Sequence, residues 1–306
     1  MNKVVITGVT GFIGGSLARE LLSQGIKVIG VDIDTPKLNE FKEYPNFIPV
    51  VATFEKYVEL SDIIPDRDID VFYHFAWAGG FTTAIKDYKL QMSNAGYSGD
   101  ALMAALNINA KKFVYANTYN QYEIVNFLLS DTFEPRYTCI YSTGKTAASL
   151  ICRTLAYNNE IDYSAALIPM PYGEHNYSKQ LVNIVINSLC NHVSPRLIEG
   201  SNLYDLVYIQ DIVDALIAIG DKGRNMKEYY VGHRNLKTFK ELITEIRDLI
   251  APDVSLLFGE YKDNQQIDFS KVDLDALYRD TGWECHYELK DNIVKTAKWV
   301  TDNVKF

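Results

Sequence analysis

The feature that most constrains the fold of this chain is a glycine-rich turn close to its first residue. The turn joins a β-branched run to a helical pattern and reads TGVTGFIG from Thr7 to Gly14. In such a turn the first glycine allows a tight bend, the second lets the backbone approach a pyrophosphate, and the third lets the helix pack against the strand. Free N–H groups and the positive dipole at the helix start then face the phosphates. The pattern predicts a dinucleotide-binding turn formed by Gly8, Thr10, Gly11, Phe12, Ile13 and Gly14. A glycine-rich connection without a ligand is the alternative.

Short β-branched runs alternate with helical patterns through the first half of the chain. The runs predicted as strands are Lys3–Thr7, Lys27–Val31, Ile48–Val51, Asp70–Phe75, Lys112–Ala116 and Asp162–Ile168. The helical patterns between them include Ile13–Ser23, Tyr88–Leu106 and Thr143–Asn158. This alternation predicts a parallel sheet with helices on both faces. Together with the glycine turn it predicts an α/β fold of the Rossmann type, a doubly wound parallel sheet.

The pattern changes after Pro169, where prolines and glycines indicate a loop. Later helical patterns are Lys179–Asn191, Thr238–Ile250, Leu274–Tyr278 and Glu288–Val300, and strand-like runs are Arg196–Glu199, Leu206–Ile209 and Glu228–Val231. The last of these runs is the best candidate to return to the sheet. We therefore expect a Rossmann domain at residues 1–169, with returning segments near 205–232. A smaller α/β substrate-binding domain is expected at residues 170–204 and 233–306.

Charge and cysteine spacing argue against several classes of protein. The formal net charge of −9 disfavours a nucleic-acid or anionic-membrane partner, because both favour a basic face. The four cysteines lack CxxC spacing and the five histidines are scattered, so we expect no metal site. We recognise neither a signal peptide nor an apolar run long enough to span a bilayer, which predicts a cytoplasmic protein.

A carboxylate at the end of the second predicted strand bears on the choice of dinucleotide. Asp32 could accept hydrogen bonds from both hydroxyls of an adenosine ribose. Its charge would repel a 2′-phosphate, so the residue favours NAD over NADP. Asp34 is a second candidate for this contact, and a solvated aspartate in a turn is the alternative without a ligand.

Tyr141 and Lys145 have the YxxxK spacing, which places both side chains on one face of a helix. A neighbouring lysine charge can lower the pKa of a tyrosine from about 10 toward neutrality, which makes the phenol a usable proton donor and acceptor. The motif alone is weak, because a chain with 21 tyrosines can contain such a pair by chance. Its position between the fifth and sixth predicted strands gives it weight.

With these motifs, the chain resembles the extended short-chain dehydrogenase/reductase family, in particular its NAD-dependent sugar epimerase/dehydratase branch, over nearly the whole length. The glycine turn resembles the TGxxGxxG loop of that family, and Tyr141 with Lys145 resembles its Tyr–Lys pair. Further similar segments are Asp70–Ala78 at the fourth strand, Phe113–Thr118 at the fifth, Pro171–Gly173, Tyr204–Asp211 and Thr281–Trp283.

The resemblance implies roles for individual residues. Tyr141 would be the general acid and base, Thr118 would hydrogen-bond the sugar hydroxyl or ketone, and Lys145 would tune the tyrosine and bind the nicotinamide ribose. Implied NAD contacts beyond the glycine turn and the Tyr–Lys pair are Asp32, Ile33, Thr53, Phe54, Phe75, Ala76, Trp77, Ala116 and Asn117. Implied contacts to a nucleoside-diphosphate sugar are Gly79, Thr118, Tyr119, Asn120, Met170 and Tyr204. A homodimer through the helices at Tyr88–Leu106 and Thr143–Asn158 is also implied.

Several positions depart from the family pattern. Dehydratases carry Asp-Glu after the catalytic Thr, whereas this chain has Tyr119-Asn120, and an amide cannot transfer a proton as a carboxylate does. Thr53 stands where an Asp commonly contacts adenine. Met170 replaces an Asn and Tyr204 replaces an Arg, both of which often hold the substrate. Arginine grips phosphate with a charged fork that tyrosine lacks. Dehydration is therefore disfavoured, and we expect a substrate unlike the common UDP- or dTDP-hexoses.

The resulting hypothesis is an NAD-dependent nucleotide-sugar epimerase, which takes a hydride from a sugar carbon and returns it to the other face. A nucleotide-sugar 4-ketoreductase, which consumes NADH, stays open because the pocket is altered. A non-catalytic NAD-binding regulator is a further alternative, although such a protein would typically have lost the Tyr–Lys pair.

Two other side chains have open roles. Trp77 either shapes the sugar pocket or plugs the space under the cofactor, and Asn94 lies either behind the active site or on the helix surface.

Overall fold

A seven-stranded parallel sheet organises the computed structural model, which describes residues 1–80, 83–131, 134–262 and 267–306. The strands in chain order are β1 Lys3–Thr7, β2 Lys27–Asp32, β3 Phe47–Val51, β4 Val71–His74, β5 Lys112–Thr118, β6 Asp162–Ile168, β7 Met170–Tyr172, β8 Arg196–Ile198, β9 Leu203–Tyr204, β10 Leu206–Tyr208, β11 Lys227–Tyr230, β12 Lys237–Thr238 and β13 Leu257–Tyr261. The order across the sheet is β11-β6-β5-β4-β1-β2-β3. The strands after β1 are first added on one side of it and, from β4 onward, on the other side, so the strand order switches between β1 and β4. In such sheets a ligand crevice forms outside the carboxyl ends of the strands at the switch point.

Helices cover both faces of this sheet. Their bounds are α1 Phe12–Ser23, α2 Leu60–Ile63, α3 Tyr88–Asn107, α4 Gln121–Leu129, α5 Thr138–Asn158, α6 Leu181–Cys190, α7 Ile209–Lys222, α8 Phe239–Ile250, α9 Ala276–Thr281 and α10 Leu289–Asn303. Short 3₁₀ helices lie at Pro36–Phe41, Phe54–Glu59, Thr83–Lys86 and Phe269–Lys271. α1 packs beside α7 on one face, and α3 packs beside α5 on the other. The predicted doubly wound α/β fold is therefore confirmed.

The first strand shows how the residue pattern creates these layers. Val4 and Ile6 join the core under α1 and α7, whereas Val5 joins the core under α3 and α5. Successive side chains of a strand point to opposite faces, so both faces of β1 need apolar residues. A run that is apolar at every position is typical of a parallel strand covered on both sides.

Several helices differ from the sequence-based expectation. α2, α4 and α7 were not predicted, and α5 begins at Thr138 rather than at Thr143. The residues of α5 before Thr143 are Thr, Cys, Ile, Tyr and Ser, all of modest helix propensity, so the pattern does not reveal the start. Contact of α5 with β5 and β6 overrides that preference. The earlier start places Tyr141 and Lys145 in the first two turns of the helix.

A second packed region follows β6. α6, α8 and α10 enclose an apolar core that includes Val185, Ile243 and Ile293. The short strands here pair as β7 with β10, β9 with β12 and β8 with β13. β11 instead pairs with β6, so the predicted return of Glu228–Val231 to the main sheet is present. The division into two domains at the expected boundaries stays a prediction.

Helix length, possible metal-ligand clusters and the state of the cysteines bear on the class of protein. Within the described residues, none of the helices has both the length and the apolar character needed to cross a membrane. Among those same residues, His, Cys, Asp and Glu side chains form no group of three that could hold a metal ion. Cys139, Cys152, Cys190 and Cys285 are all free thiols.

Candidate active site

The turn after β1 is shaped by close backbone contacts that leave no room for side chains. Gly8 has a φ of 71°, in the left-handed region that favours glycine. A Cβ at Gly8 would also lie 2.8 Å from the backbone nitrogen of Ala76. A Cβ at Gly14 would collide with the carbonyl oxygen of Gly8. The loop after β4 lies against Gly8, and the start of α1 lies against the Gly8 carbonyl. Both positions therefore require glycine.

The start of α1 presents open backbone to the crevice. Gly11 is the N-cap residue, is exposed, and has no side chain that could bond the first N–H groups of the helix. Phe12 and Ile13 are half-buried and pack toward the core of the second region, which fixes the direction of the helix. An exposed helix start of this kind binds phosphate through its N–H groups and dipole. The residues of the turn thus fit the pyrophosphate of a dinucleotide.

Asp32, at the end of β2, braces the glycine turn. Its Oδ2 accepts hydrogen bonds from the backbone nitrogen of Thr10 over 2.9 Å and from the Thr10 hydroxyl over 2.8 Å. Its Oδ1 accepts one from the nitrogen of Ile33 over 2.9 Å. The nitrogen of Ala52 donates to the Asp32 carbonyl, so Thr53, the next residue, lies near the same edge of the sheet. A ribose contact by Asp32 and adenine contacts by Ile33, Thr53 and Phe54 stay predictions.

A buried histidine ties β4 to β1 and α3 beneath the crevice. Nδ1 of His74 lies 2.7 Å from the Thr7 hydroxyl, and Nε2 lies 3.1 Å from the Ser98 hydroxyl. Burial lowers the pKa of His74 to about 3, and the charge of Lys145 acts in the same direction. His74 is therefore neutral and holds the strands that lead to Phe75 and Ala76.

The predicted catalytic pair lies at the carboxyl end of β5, against the loop that follows β4. Nζ of Lys145 donates a hydrogen bond to the Ala116 carbonyl oxygen over 2.9 Å. The same ammonium lies 4.1 Å from the centre of the Trp77 ring. The Trp77 ring meets Tyr141 edge-on, with 6.0 Å between ring centroids. One indole therefore contacts both members of the pair, and both members are buried.

Burial controls protonation in this cluster. It lowers the pKa of Lys145 to about 7, because the ammonium has lost its water. It raises the pKa of the Tyr141 phenol, so the expected lowering by the lysine is absent in this arrangement. The Trp77 indole lies over the Lys145 ammonium, and the lysine is 5% exposed. This position fits a plug, and both roles considered for Trp77 stay predictions.

Thr118 ends β5 just beyond Ala116 and is buried. Its backbone nitrogen donates to Oδ1 of Asn117 over 2.8 Å, and its hydroxyl accepts from the nitrogen of Asn120 over 3.2 Å. Oδ1 of Asn120 is buried and has no hydrogen-bond partner among the described residues. Buried polar atoms are rarely left without a partner, so this amide oxygen suits a ligand hydroxyl.

Other residues with an implied substrate contact have different surroundings. Gly79 has a φ of 65° and packs closely on Ala84 and Leu90 in the turn before α3. Tyr119 is buried and stacks on Phe269 at 6.2 Å between ring centroids. Gly79 therefore shapes a turn and Tyr119 contributes to a small apolar core, and contact of either residue with a sugar stays a prediction.

Tyr204 and Met170 belong to short strands of the second region. Tyr204 is 5% exposed and meets Phe239 edge-on, with 5.0 Å between ring centroids. Met170 is half-buried, and its nitrogen donates to the Asp205 carbonyl over 3.3 Å. Tyr204 thus packs into the core of this region, which makes the loss of the family arginine compatible with the local fold. Their substrate contacts stay predictions.

Two polar side chains of α3 support the loop after β4. Oε1 of Gln91 accepts a hydrogen bond from Nε1 of Trp77 over 2.8 Å. Asn94 exchanges two hydrogen bonds with the backbone of Ala78, over 3.1 and 2.9 Å. Both side chains are buried, so Asn94 lies behind the crevice rather than on the helix surface. Hydrophobic periodicity does not find such residues, because it assigns polar side chains to the solvent face.

Comparison with known proteins identifies the family. The model of the NAD dependent epimerase/dehydratase family matches residues 4–232. The chain belongs to this family. Membership confirms the resemblance that the motifs carried, and it establishes an NAD-dependent enzyme related to nucleotide-sugar epimerases and dehydratases.

Relatives in this family match the chain along nearly its full length at low identity. A UDP-glucuronate 4-epimerase of Thermodesulfobacterium geofontis is 22% identical, over 100% of this chain and 98% of the relative. A dTDP-glucose 4,6-dehydratase of Xanthomonas campestris pv. campestris is 21% identical, over 99% of this chain and 94% of the relative. The UDP-glucuronic acid 4-epimerase from Bacillus cereus, solved in complex with NAD, has a TM-score of 0.79 at 18% identity, over 99% and 100%. At that identity the structural likeness shows a shared fold.

Proposed function

We propose that this family member is a nucleoside-diphosphate-sugar epimerase that removes a hydride from a sugar carbon and returns it to the opposite face. One observation carries the proposal. The first two turns of α5 bring Tyr141 and Lys145 together at the carboxyl end of β5, where Thr118 lies. The glycine turn after β1 opens at the same edge of the sheet. NAD supplies the hydride acceptor when it is bound.

Each side chain of this cluster has a task in the proposed reaction. Tyr141 takes the proton of the reacting hydroxyl and gives it back after the sugar has turned. Thr118 donates a hydrogen bond to the reacting oxygen. Lys145, once the Trp77 indole has moved aside, holds the ribose, and its charge lowers the pKa of the phenol. Asn120 offers its unpartnered amide oxygen to a sugar hydroxyl.

The residues after Thr118 favour epimerisation over 4,6-dehydration. Asn120 has an amide where dehydratases carry a carboxylate. The next carboxylate along the chain, Glu123, is fully buried and forms an ion pair with Arg136 over 2.6 Å. The Arg136 guanidinium engages this carboxylate in a buried ion pair, so the carboxylate is not free to act on a ligand. Neither residue therefore supplies the second acid that dehydration needs.

Mass spectrometry of the purified protein followed by a panel of nucleotide sugars tests the proposal. We expect NAD to be retained and one pair of isomers to interconvert without net change in NADH absorbance. Stoichiometric consumption of NADH on a keto sugar would identify a ketoreductase instead. Binding of NAD without turnover of any nucleotide sugar would point to the regulator.

Tyr141→Phe tests the proton-transfer step directly. Loss of a positioned acid and base costs about 10²- to 10⁴-fold in rate, so turnover should fall by that factor while NAD is still retained. Tyr137→Phe is the matched control, because Tyr137 precedes the same helix and is 67% exposed. A Tyr141→Phe variant with wild-type turnover would exclude the proposed role.

We also propose a homodimer through α3 and α5. Their outer faces expose Met92, Met103, Leu150, Ile151 and Tyr157. An apolar face of this kind on two adjacent helices is typical of an interface. Light scattering after size-exclusion chromatography should give twice the chain mass for the wild type and a monomer for Leu150→Glu/Ile151→Lys. A wild-type monomer at micromolar concentration would contradict the dimer.

The proposed compartment is the cytoplasm, as the sequence predicts. All four cysteines are free thiols, which is typical of a reducing compartment. Fractionation of cells that express the protein at its natural level tests this, and recovery in a membrane or secreted fraction would contradict it.

A further inference from the structure

A half-buried carboxylate outside the cluster described above joins two of its elements. Glu228 lies on β11, the edge strand that the second half of the chain adds to the sheet. Its Oε2 accepts a hydrogen bond from Nε2 of Gln121 over 3.0 Å. Its Oε1 accepts one from the Ser149 hydroxyl over 3.0 Å. The carboxylate therefore links α4 and α5 to the edge of the sheet.

The first branch of this link ends at Thr118. Oε1 of Gln121 accepts a hydrogen bond from Nδ2 of Asn117 over 2.7 Å. Oδ1 of Asn117 in turn accepts from the backbone nitrogen of Thr118 over 2.8 Å. A carboxylate only accepts hydrogen bonds, so Glu228 forces the nitrogen of Gln121 toward itself and the oxygen toward Asn117. That first bond therefore fixes the orientation of the Gln121 and Asn117 amides. It also fixes which Asn117 atom accepts from the Thr118 nitrogen.

The second branch ends on the helix of the Tyr–Lys pair. Ser149 lies one turn after Lys145 on α5 and is 3% exposed. Its hydroxyl also lies 2.9 Å from the Tyr163 hydroxyl on β6. Glu228 therefore bonds the α5 helix directly and Thr118 through two amides. The strand that carries it pairs with β6 and not with β5.

We propose that Glu228 is a positioning residue that sets the separation between Thr118 and the Tyr141–Lys145 face of α5. The inference rests on the proposed function, because it assigns both groups to one reaction. Glu228 acts through Gln121, Asn117 and Ser149. A misplacement of about 1 Å can cost about 10²-fold in rate, so this link should influence turnover more than binding.

The test compares Glu228→Met with Glu228→Gln. Methionine keeps the length but accepts no hydrogen bond of this strength, so both branches are lost. Glutamine keeps an acceptor for Gln121, and the Ser149 hydroxyl can rotate to accept from its amide nitrogen. Asp280→Leu is the matched control. Asp280 accepts from the Tyr229 hydroxyl over 2.9 Å, so it braces the neighbouring residue of β11 from the other face of the sheet.

Hydrogen exchange measured by mass spectrometry gives a readout that does not depend on turnover. Glu228→Met should speed exchange in the peptides that cover the end of β5 and the first turns of α5. Glu228→Gln and Asp280→Leu should leave both peptides near wild type. Unchanged exchange in Glu228→Met would overturn the inference.

Kinetics then tests the consequence for the reaction. Glu228→Met should lower kcat about 10- to 100-fold with KM for the sugar within about twofold, and Glu228→Gln should recover most of the rate. If Tyr141→Phe abolishes turnover while Glu228→Met does not lower kcat, the positioning role is wrong and the proposed function stands. If Tyr141→Phe leaves turnover intact, the proposed function fails, and the exchange data alone decide whether Glu228 fixes Thr118.

Discussion

The two ends of the crevice differ in how the chain builds them. The first end, called the phosphate end because we expect the pyrophosphate of NAD there, consists of backbone from Thr7–Gly14, braced by the single carboxylate of Asp32. The opposite end consists of side chains from α5, β5 and the loop after β4, which are far apart in sequence. At the first end, each glycine stands where a Cβ would crowd neighbouring backbone atoms. At the second end, the protonation and the accessibility of Lys145 depend on what packs around it.

This difference predicts which substitutions each end of the crevice tolerates. The backbone turn at the phosphate end cannot adjust, since a single added Cβ would occupy the space of neighbouring backbone atoms. A side-chain cluster can rearrange by side-chain rotation, and Trp77 belongs to a loop rather than to a strand. We therefore expect substitutions at the phosphate end to abolish cofactor binding, and substitutions at the other end to tune it.

The largest expected effect is that of Gly14→Val. A side chain here collides with the Gly8 carbonyl and displaces the turn, so the dissociation constant for NAD should rise at least about 100-fold. Isothermal titration calorimetry measures it. Gly96→Ala is the control, because Gly96 lies in α3 with open space where a Cβ would stand, and alanine favours a helix. A Gly14→Val variant that binds NAD normally would break the contrast between the two ends.

A smaller effect of opposite sign is expected for Trp77→Ala. The contact between the indole and the Lys145 ammonium stabilises the closed arrangement by about 1–2 kcal/mol. Removing this contact should tighten NAD binding about 5- to 30-fold, because the cofactor no longer has to displace the indole. Trp77→Phe, which keeps an aromatic face over the lysine, should stay near wild type. Weaker binding by Trp77→Ala would mean that the indole forms part of the cofactor site.

The smallest effect concerns pH and thermal stability. In the folded protein the pKa of Lys145 is about 7, whereas an unfolded lysine keeps a pKa of about 10.4. Between these values the unfolded chain binds more protons, so the free energy of unfolding should rise with pH, and the penalty is fully present below pH 7. Lys145→Met removes this dependence. Between pH 7 and 9 the wild-type Tm should therefore rise by a few degrees relative to that of Lys145→Met, and parallel curves would show that the lysine is not desolvated.

Particular residues show where sequence-based prediction of the crevice succeeds and where it stops. The glycine turn, the strands around it and the family follow from local spacing, and the structure and the family model confirm them. α2, α4 and α7 were not predicted from the residue pattern. Gln121 and Glu228 carry no motif, and they meet only because β11 crosses back to pair with β6.

The sequence alone thus determined the parallel sheet, the glycine turn and the co-location of Tyr141 with Lys145 on one helix face. The turn and the helix face depend on backbone sterics and on residues a few positions apart, and the alternation of strand and helix patterns predicts the sheet. Tertiary structure decided that burial raises the pKa of Tyr141, lowers that of Lys145, and puts an indole over the ammonium. Desolvation depends on every atom that surrounds a charge, and those atoms come from strands and helices that only the complete fold brings together.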